Sequence, residues 1–151
     1  MTFDEYMRAV EDDKYPEDPR VPAGPSFEND NGSILNLAFG DFGGVAIINS
    51  TPKSIRSNHY HKTDYHFLAV MVGYVLYYWR PAGSKEEPKM AVYHAGDMFF
   101  TPPMVEHAVY SPNGSEIVSM SKLSRRHENH EADLVRVPVI RLEDGDVVFC
   151  T

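Results

Sequence analysis

The sequence predicts an all-β domain, a barrel or sandwich of short strands preceded by a short N-terminal helix and arm. Three observations carry that expectation. Pro (11) and Gly (10) are spread along the 151 residues and cut the chain into segments of strand length. Tyr (9) and Phe (8) are abundant, and aromatic residues favour pleated, half-buried surfaces. No long amphipathic helical pattern appears, whereas apolar runs of four to eight residues bounded by turn signals recur.

Taken in order, Thr2-Phe3-Asp4-Glu5 has capping-box spacing and predicts a helix over residues 3–11. Residues 12–33 are acidic and rich in Pro, Gly and Asn, and read as an extended arm; residues 1–33 thus form a first segment. Strands are expected over 34–39 and 45–48 around the glycine-rich turn Gly40, Gly43, Gly44, then over 54–61. Residues 66–80 read as two strands turning near Gly73. Further strands fall at 90–94, 98–101 (ended by Pro102-Pro103), 105–110 and 116–123 around Asn113-Gly114. This places the barrel at 34–123. Residues 124–133 read as a charged linker, helical or irregular. Residues 134–140 and 147–150 read as a terminal pair around Asp144-Gly145, so that 124–151 is a C-terminal extension packing on the barrel or on a dimer partner.

The formal charge of −8 repels phosphate backbones and anionic lipid, which argues against nucleic acid and membrane partners. A small anionic ligand stays compatible, because Lys53, Arg56 and Lys62 precede the first acidic residue of this stretch, Asp64. Cys150, a single cysteine, cannot form an intrachain disulfide and suits a reducing compartment. The first twenty residues are polar and acidic, unlike a signal peptide, and the expected location is cytoplasmic.

Four histidines suggest chemistry. In a strand, residues i and i+2 face the same way, so His59 and His61 present two imidazoles to one side. His66 follows after a short turn through Lys62-Thr63-Asp64, and His107 comes from a distant strand. Imidazoles gathered from separate strands are a means of holding one divalent transition metal, and His59, His61, His66 and His107 are the candidate ligands. Tyr60 and Glu106 alternate away from that face, and Glu106 is expected on the outer surface or at a dimer contact. His94 is expected at a strand end, and His127 and His130 in solvent. Ser119 and Ser121 share a face that can line a cavity. Arg56, near the H-x-H pair, suits a carboxylate or phosphate, and Tyr77 lies within the aromatic run 74–79.

The arrangement resembles the cupin superfamily. Its first motif runs from Gly through an H-x-H pair and a Glu to a second Gly; Ser54, His59, His61, His66 and Gly73 stand at those places. Its second runs Gly, Pro, Gly, His, Asn; Gly96, Pro102, Met104, His107 and Ser111 stand there. The resemblance implies a double-stranded β-helix (a jelly-roll barrel), often a homodimer, with a metal inside its mouth. His66 replaces the usual glutamate, so the implied site has four neutral imidazoles. That leaves the ion a stronger Lewis acid and suits Fe, Ni, Mn, Zn or Cu. Some deoxysugar-modifying cupins instead use a histidine of the pair as a base without metal. The stretches 56–64, 99–107 and 124–133 are similar to small cupins of polysaccharide and nucleotide-sugar modification. Three functions are therefore expected to compete. The first is a metal-dependent isomerase, epimerase or ring-opening enzyme on a small sugar-like hydroxy-carbonyl compound, with Tyr77 and Arg56 as catalytic candidates. The second is a metal-dependent dioxygenase, and the third a non-catalytic binder.

Overall fold

A computed structural model describes residues 1–151, the side chain of His127 excepted. Helix α1 (Phe3–Glu11) opens the chain, capped as its sequence requires: the Thr2 hydroxyl accepts from the Glu5 backbone N–H, and the Glu5 carboxylate accepts from that of Thr2. Its apolar side, Phe3, Tyr6, Met7 and Val10, repeats at i, i+3, i+4 and i+7 and is buried. It packs against Phe67, Ala69, Met98, Phe100 and Met120 on the outside of the barrel wall. Each such side chain withdrawn from water contributes about 1.5–3 kcal/mol.

Twelve strands follow: β1 (Ser26–Asn29), β2 (Gly32–Leu35), β3 (Gly44–Ser50), β4 (Ser54–His61), β5 (His66–Pro81), β6 (Lys89–His94), β7 (Met98–Thr101), β8 (Val105–Ser111), β9 (Ser115–Ser121), β10 (Leu134–Arg136), β11 (Ile140–Glu143) and β12 (Asp146–Phe149). Helix α2 (His127–Asp133) lies between β9 and β10. Strands β3 to β10 form one curled antiparallel sheet, ordered β10-β4-β8-β5-β9-β3, with β6 and β7 both paired to β5. No helix among the described residues is long and apolar enough to cross a membrane.

Strand β5 makes the barrel. The expected reversal at Gly73 does not occur: the strand runs on through it, with Gly73 at φ 79°. Residues 66–73 pair with β7 and β9, and residues 74–81 with β6 and β8, so one strand serves both walls. The register slip between Val70 and Val72 and the left-handed glycine bend the strand without turning it back. Two further expectations are corrected. The arm contains a hairpin, β1 with β2, and the strand expected over 34–39 ends at Leu35. At the C-terminus β11 pairs with β12, while β10 instead joins the barrel edge beside β4.

Candidate functional site

Between the two walls lies a cavity of about 240 Å³, lined by His59, His61, His66, His107, Arg56 and Arg125 among others. His61, His66 and His107 are buried and His59 half-buried. Ring centroids lie 4.8 Å apart for His59–His61, 4.9 Å for His59–His107 and 4.7 Å for His61–His66. The four expected imidazoles therefore share one hollow, but not as one tight quartet. Ligand atoms of His59, His61 and His107 lie within 4.8 Å of one another, and those of His61, Asp64 and His66 form a second such group.

A β-bulge brings β4 into register. Arg56 pairs with Val109, Ser57 with Ala108 and His59 with His107, so Ser57 and Asn58 together oppose one residue. Simple alternation would send Arg56 and His59 to opposite faces. The extra residue restores both to the cavity side. Ser57 (φ 74°) and Asn58 (φ 53°) both take left-handed backbone. Asn58 suits that conformation, and its amide makes three hydrogen bonds. Its Oδ1 accepts from the N–H groups of Val139 and Ile140, and its Nδ2 donates to the Ile140 carbonyl.

Hydrogen bonds set the imidazoles. His61 Nδ1 lies 3.0 Å from Asp133 Oδ2. An ionised carboxylate only accepts, so Nδ1 carries the proton and Nε2 the lone pair. Asp133 also accepts from the Thr63 backbone N–H at 2.7 Å and its hydroxyl at 2.8 Å. Burial opposes its charge, but these bonds and His61 hold its carboxyl below the usual range. His107 Nδ1 donates to the Val105 carbonyl at 2.9 Å, again freeing Nε2. His66 Nδ1 meets the Ser119 hydroxyl at 3.2 Å. His66 Nε2 is buried and faces Asp64 Oδ2 at 3.1 Å, an ion-pair contact off the ideal line of a hydrogen bond. Burial, and then the neighbouring imidazoles, push His59 down to about 2. Burial likewise takes His107 down to about 3, against the bond to Val105. At neutral pH both are uncharged and present lone pairs.

The mouth is basic. Arg56 Nε donates to Ser50 Oγ and its Nη2 to the Asn49 carbonyl, which lays the guanidinium across the opening between β4 and β3. Arg125 lines the same opening. His130, expected in solvent, is half-buried, lines the cavity and has its ring 5.9 Å from that of His61. The correction follows from α2, which folds back over the barrel mouth. His127 lies outside the described side chains. His94 ends β6 on the surface.

Other candidates sit elsewhere. Tyr77 is fully buried, its hydroxyl 2.9 Å from Thr101 Oγ1. Its ring lies 6.2 Å from that of His107, while the residue also lines a cleft of about 390 Å³ with Trp79 and Tyr15. Glu106 does point away from the histidines, but it is buried: Arg80 Nε donates to it at 2.8 Å and the Gly83 N–H at 2.8 Å. The C-terminal extension covers it, since Arg80 also donates to the Cys150 and Pro138 carbonyls. Sequence reasoning misses Asp64, Arg125 and Asp133 as members of the site. Asp64 reads as a turn residue, and Asp133 lies 72 positions from its partner His61.

The sequence matches no protein-family model and no curated protein. The fold, however, is found among solved structures. A variant of the 3,4-ketoisomerase QdtA from Thermoanaerobacterium thermosaccharolyticum, in complex with TDP-4-keto-6-deoxyglucose, superposes with TM-score 0.62 at 15% identity, over 76% of this chain and 83% of that one. ChmJ, a 3'-monoepimerase from Streptomyces bikiniensis in complex with dTDP-quinovose, gives 0.62 at 12% identity, over 76% and 67%. A dTDP-4-dehydrorhamnose 3,5-epimerase from Sulfolobus tokodaii gives 0.57 at 15% identity, over 69% of each chain. The chain has the cupin fold, a curled double-stranded β-helix with a short N-terminal helix.

Proposed function

We propose that the chain is a metal-dependent isomerase or epimerase of a small sugar-like hydroxy-carbonyl compound carrying an anionic group. One observation carries the reading: a single cavity is lined by a cluster of imidazoles at its base and two guanidiniums at its mouth. Three features of the base suit a divalent transition ion. His61 and His107 have their Nδ1 atoms tied down, so that Nε2 is the free donor. His59 and His107 stay neutral under burial. His66 Nε2 is buried and faces the Asp64 carboxylate at 3.1 Å, a pair of donor atoms that a proton or a cation bridges. An ion bound there would supply Lewis-acid polarisation of the substrate carbonyl.

The protein's own residues do the rest. Arg56 and Arg125 hold the anionic group at the mouth and fix which carbon faces the histidines. His130 stands at the wall, and burial, with Arg125 beside it, lowers its pKa. It is therefore neutral at pH 7 and suited to take a proton from the carbon next to the carbonyl and return it to another position. Tyr77, engaged with Thr101 in the core, is the less accessible proton carrier.

The likeness to sugar 3,4-ketoisomerase and epimerase folds favours this class. The His59, His61 and His107 group also suits a dioxygenase, because three ligands leave positions open for substrate and O₂. Incubation with TDP-4-keto-6-deoxyglucose in D₂O under argon separates the two. The isomerase reading expects deuterium in the recovered sugar and loss of exchange after chelation. No exchange with the metal-replete protein would overturn it, and oxygen-dependent turnover would favour the second reading.

A further inference from the structure

We propose that Asp64, with His61 and His66, is a direct ligand of the ion, making the centre a histidine–carboxylate site and not one of imidazoles alone. The inference rests on the metal reading above and extends it to a residue outside the motif. Asp64 is buried to 3% exposure behind the cavity-lining His66. One of its oxygens serves the fold, since Oδ1 accepts the Leu123 N–H at 2.9 Å. The other does not. Oδ2 faces His66 Nε2 at 3.1 Å, off the line of a hydrogen bond, and that nitrogen has no other partner. His66 cannot turn its other nitrogen inward without giving up Ser119.

A carboxylate oxygen and an imidazole nitrogen are thus held 3.1 Å apart, with a His61 ring nitrogen as their common neighbour in one group of ligand atoms within 4.8 Å of one another. A divalent cation takes the place of the proton between them, with Asp64 Oδ2, His66 and His61 as its ligands. Asp64 would then supply the negative charge that His66, standing at the glutamate position of the motif, cannot. A carboxylate on the ion widens the acceptable metals toward those that prefer oxygen, manganese and iron included, and moderates the Lewis acidity that four neutral ligands would give.

The test is metal binding, independent of turnover. Zinc and cobalt(II) are titrated calorimetrically into the wild-type chain, Asp64→Asn and, as a control away from the ion, Glu106→Gln. The asparagine keeps an acceptor for the Leu123 N–H. The expected result is one ion per wild-type chain and affinity lowered about 100-fold or more in Asp64→Asn, beyond the 10–100-fold typical of residues that only support a ligand. The cobalt(II) absorption bands should shift as an oxygen donor is lost. Equal affinity and unchanged bands in Asp64→Asn would overturn the assignment while leaving the metal site standing. A wild-type chain that binds no ion would overturn the metal reading itself. A crystal structure of the zinc-loaded wild-type chain decides the matter without any variant: the ion should lie about 2.0–2.2 Å from Asp64 Oδ2. A separation beyond about 3 Å, well outside that coordination range, would refute it.

Discussion

Asp133 Oδ2 lies 3.0 Å from His61 Nδ1, joining the last residue of α2 to the floor of the cavity. The same carboxylate closes the turn after β4 through Thr63. Asp133→Asn replaces an acceptor by an amide that can also donate, and so removes the bias that keeps the proton on Nδ1. Metal affinity should fall by about 10–100-fold, as when other supporting carboxylates are lost. Asp133→Ala should in addition lose at least about 2 kcal/mol of stability, because several charge-assisted bonds disappear together. Calorimetry with zinc and urea unfolding measure the two effects. An Asp133→Ala chain as stable as wild type would show that α2 is not anchored in this way.

The bulge at Ser57-Asn58 makes a separate prediction. Asn58→Ala should destabilise by about 2–4 kcal/mol, since the left-handed φ of 53° disfavours alanine and three hydrogen bonds to residues 139 and 140 are lost. Asn58→Gly keeps the backbone conformation and loses only the bonds, so it should cost less. Equal costs for the two, read from urea midpoints, would mean that backbone strain plays no part.

Such a bulge shows where sequence reading stops. The alternation of His59 and His61, the helix cap at Thr2 and the strand ends at Pro102 and Gly96 rest on local chemistry and are legible. So is the cupin fold, through two motifs in order. Asn58 gives no signal, because its left-handed turn is stabilised by residues 139 and 140, far along the chain. Gly73 misleads for the opposite reason: glycine permits both a hairpin and a bend, and only pairing of β5 with both walls selects the bend. The short α2 offers no apolar stripe, so nothing in its composition announces that Asp133 and His130 face the histidines.

Arg56 and Arg125 should act as a pair toward an anionic ligand. TDP is expected to bind at the mouth, and Arg56→Ala or Arg125→Ala to weaken it by about 10-fold each, in keeping with loss of one charge-assisted contact of about 1.5–3 kcal/mol partly screened by solvent. Arg56→Lys should rescue little, since it cannot bridge Ser50 and Asn49 while also meeting an anion. Calorimetric titration at two salt concentrations checks this. An affinity unaffected by either alanine would remove the anion site from the mouth.

Alkaline stability follows from several tyrosines that burial raises, Tyr6 and Tyr93 among them. Burial, with the charge of Asp18 added, raises Tyr6, whose hydroxyl donates to the Asp18 carbonyl at 2.9 Å. Burial also raises Tyr93 to about 12, with Arg20 opposing and Asp18 and Asp97 adding. An unfolded tyrosine titrates near about 10. Between that value and the folded one, the native chain binds more protons than the unfolded chain, so stability falls as pH rises. The contribution is complete below about pH 10 and is lost progressively from there to beyond about pH 12. Urea midpoints should accordingly be level from about pH 8 to 9.5 and fall above about 10. Tyr6→Phe should lower the plateau by about 1 kcal/mol, the worth of one hydrogen bond, yet flatten the alkaline decline, because one titrating group is gone. A variant that declines as steeply as wild type would show that Tyr6 is not one of the groups responsible.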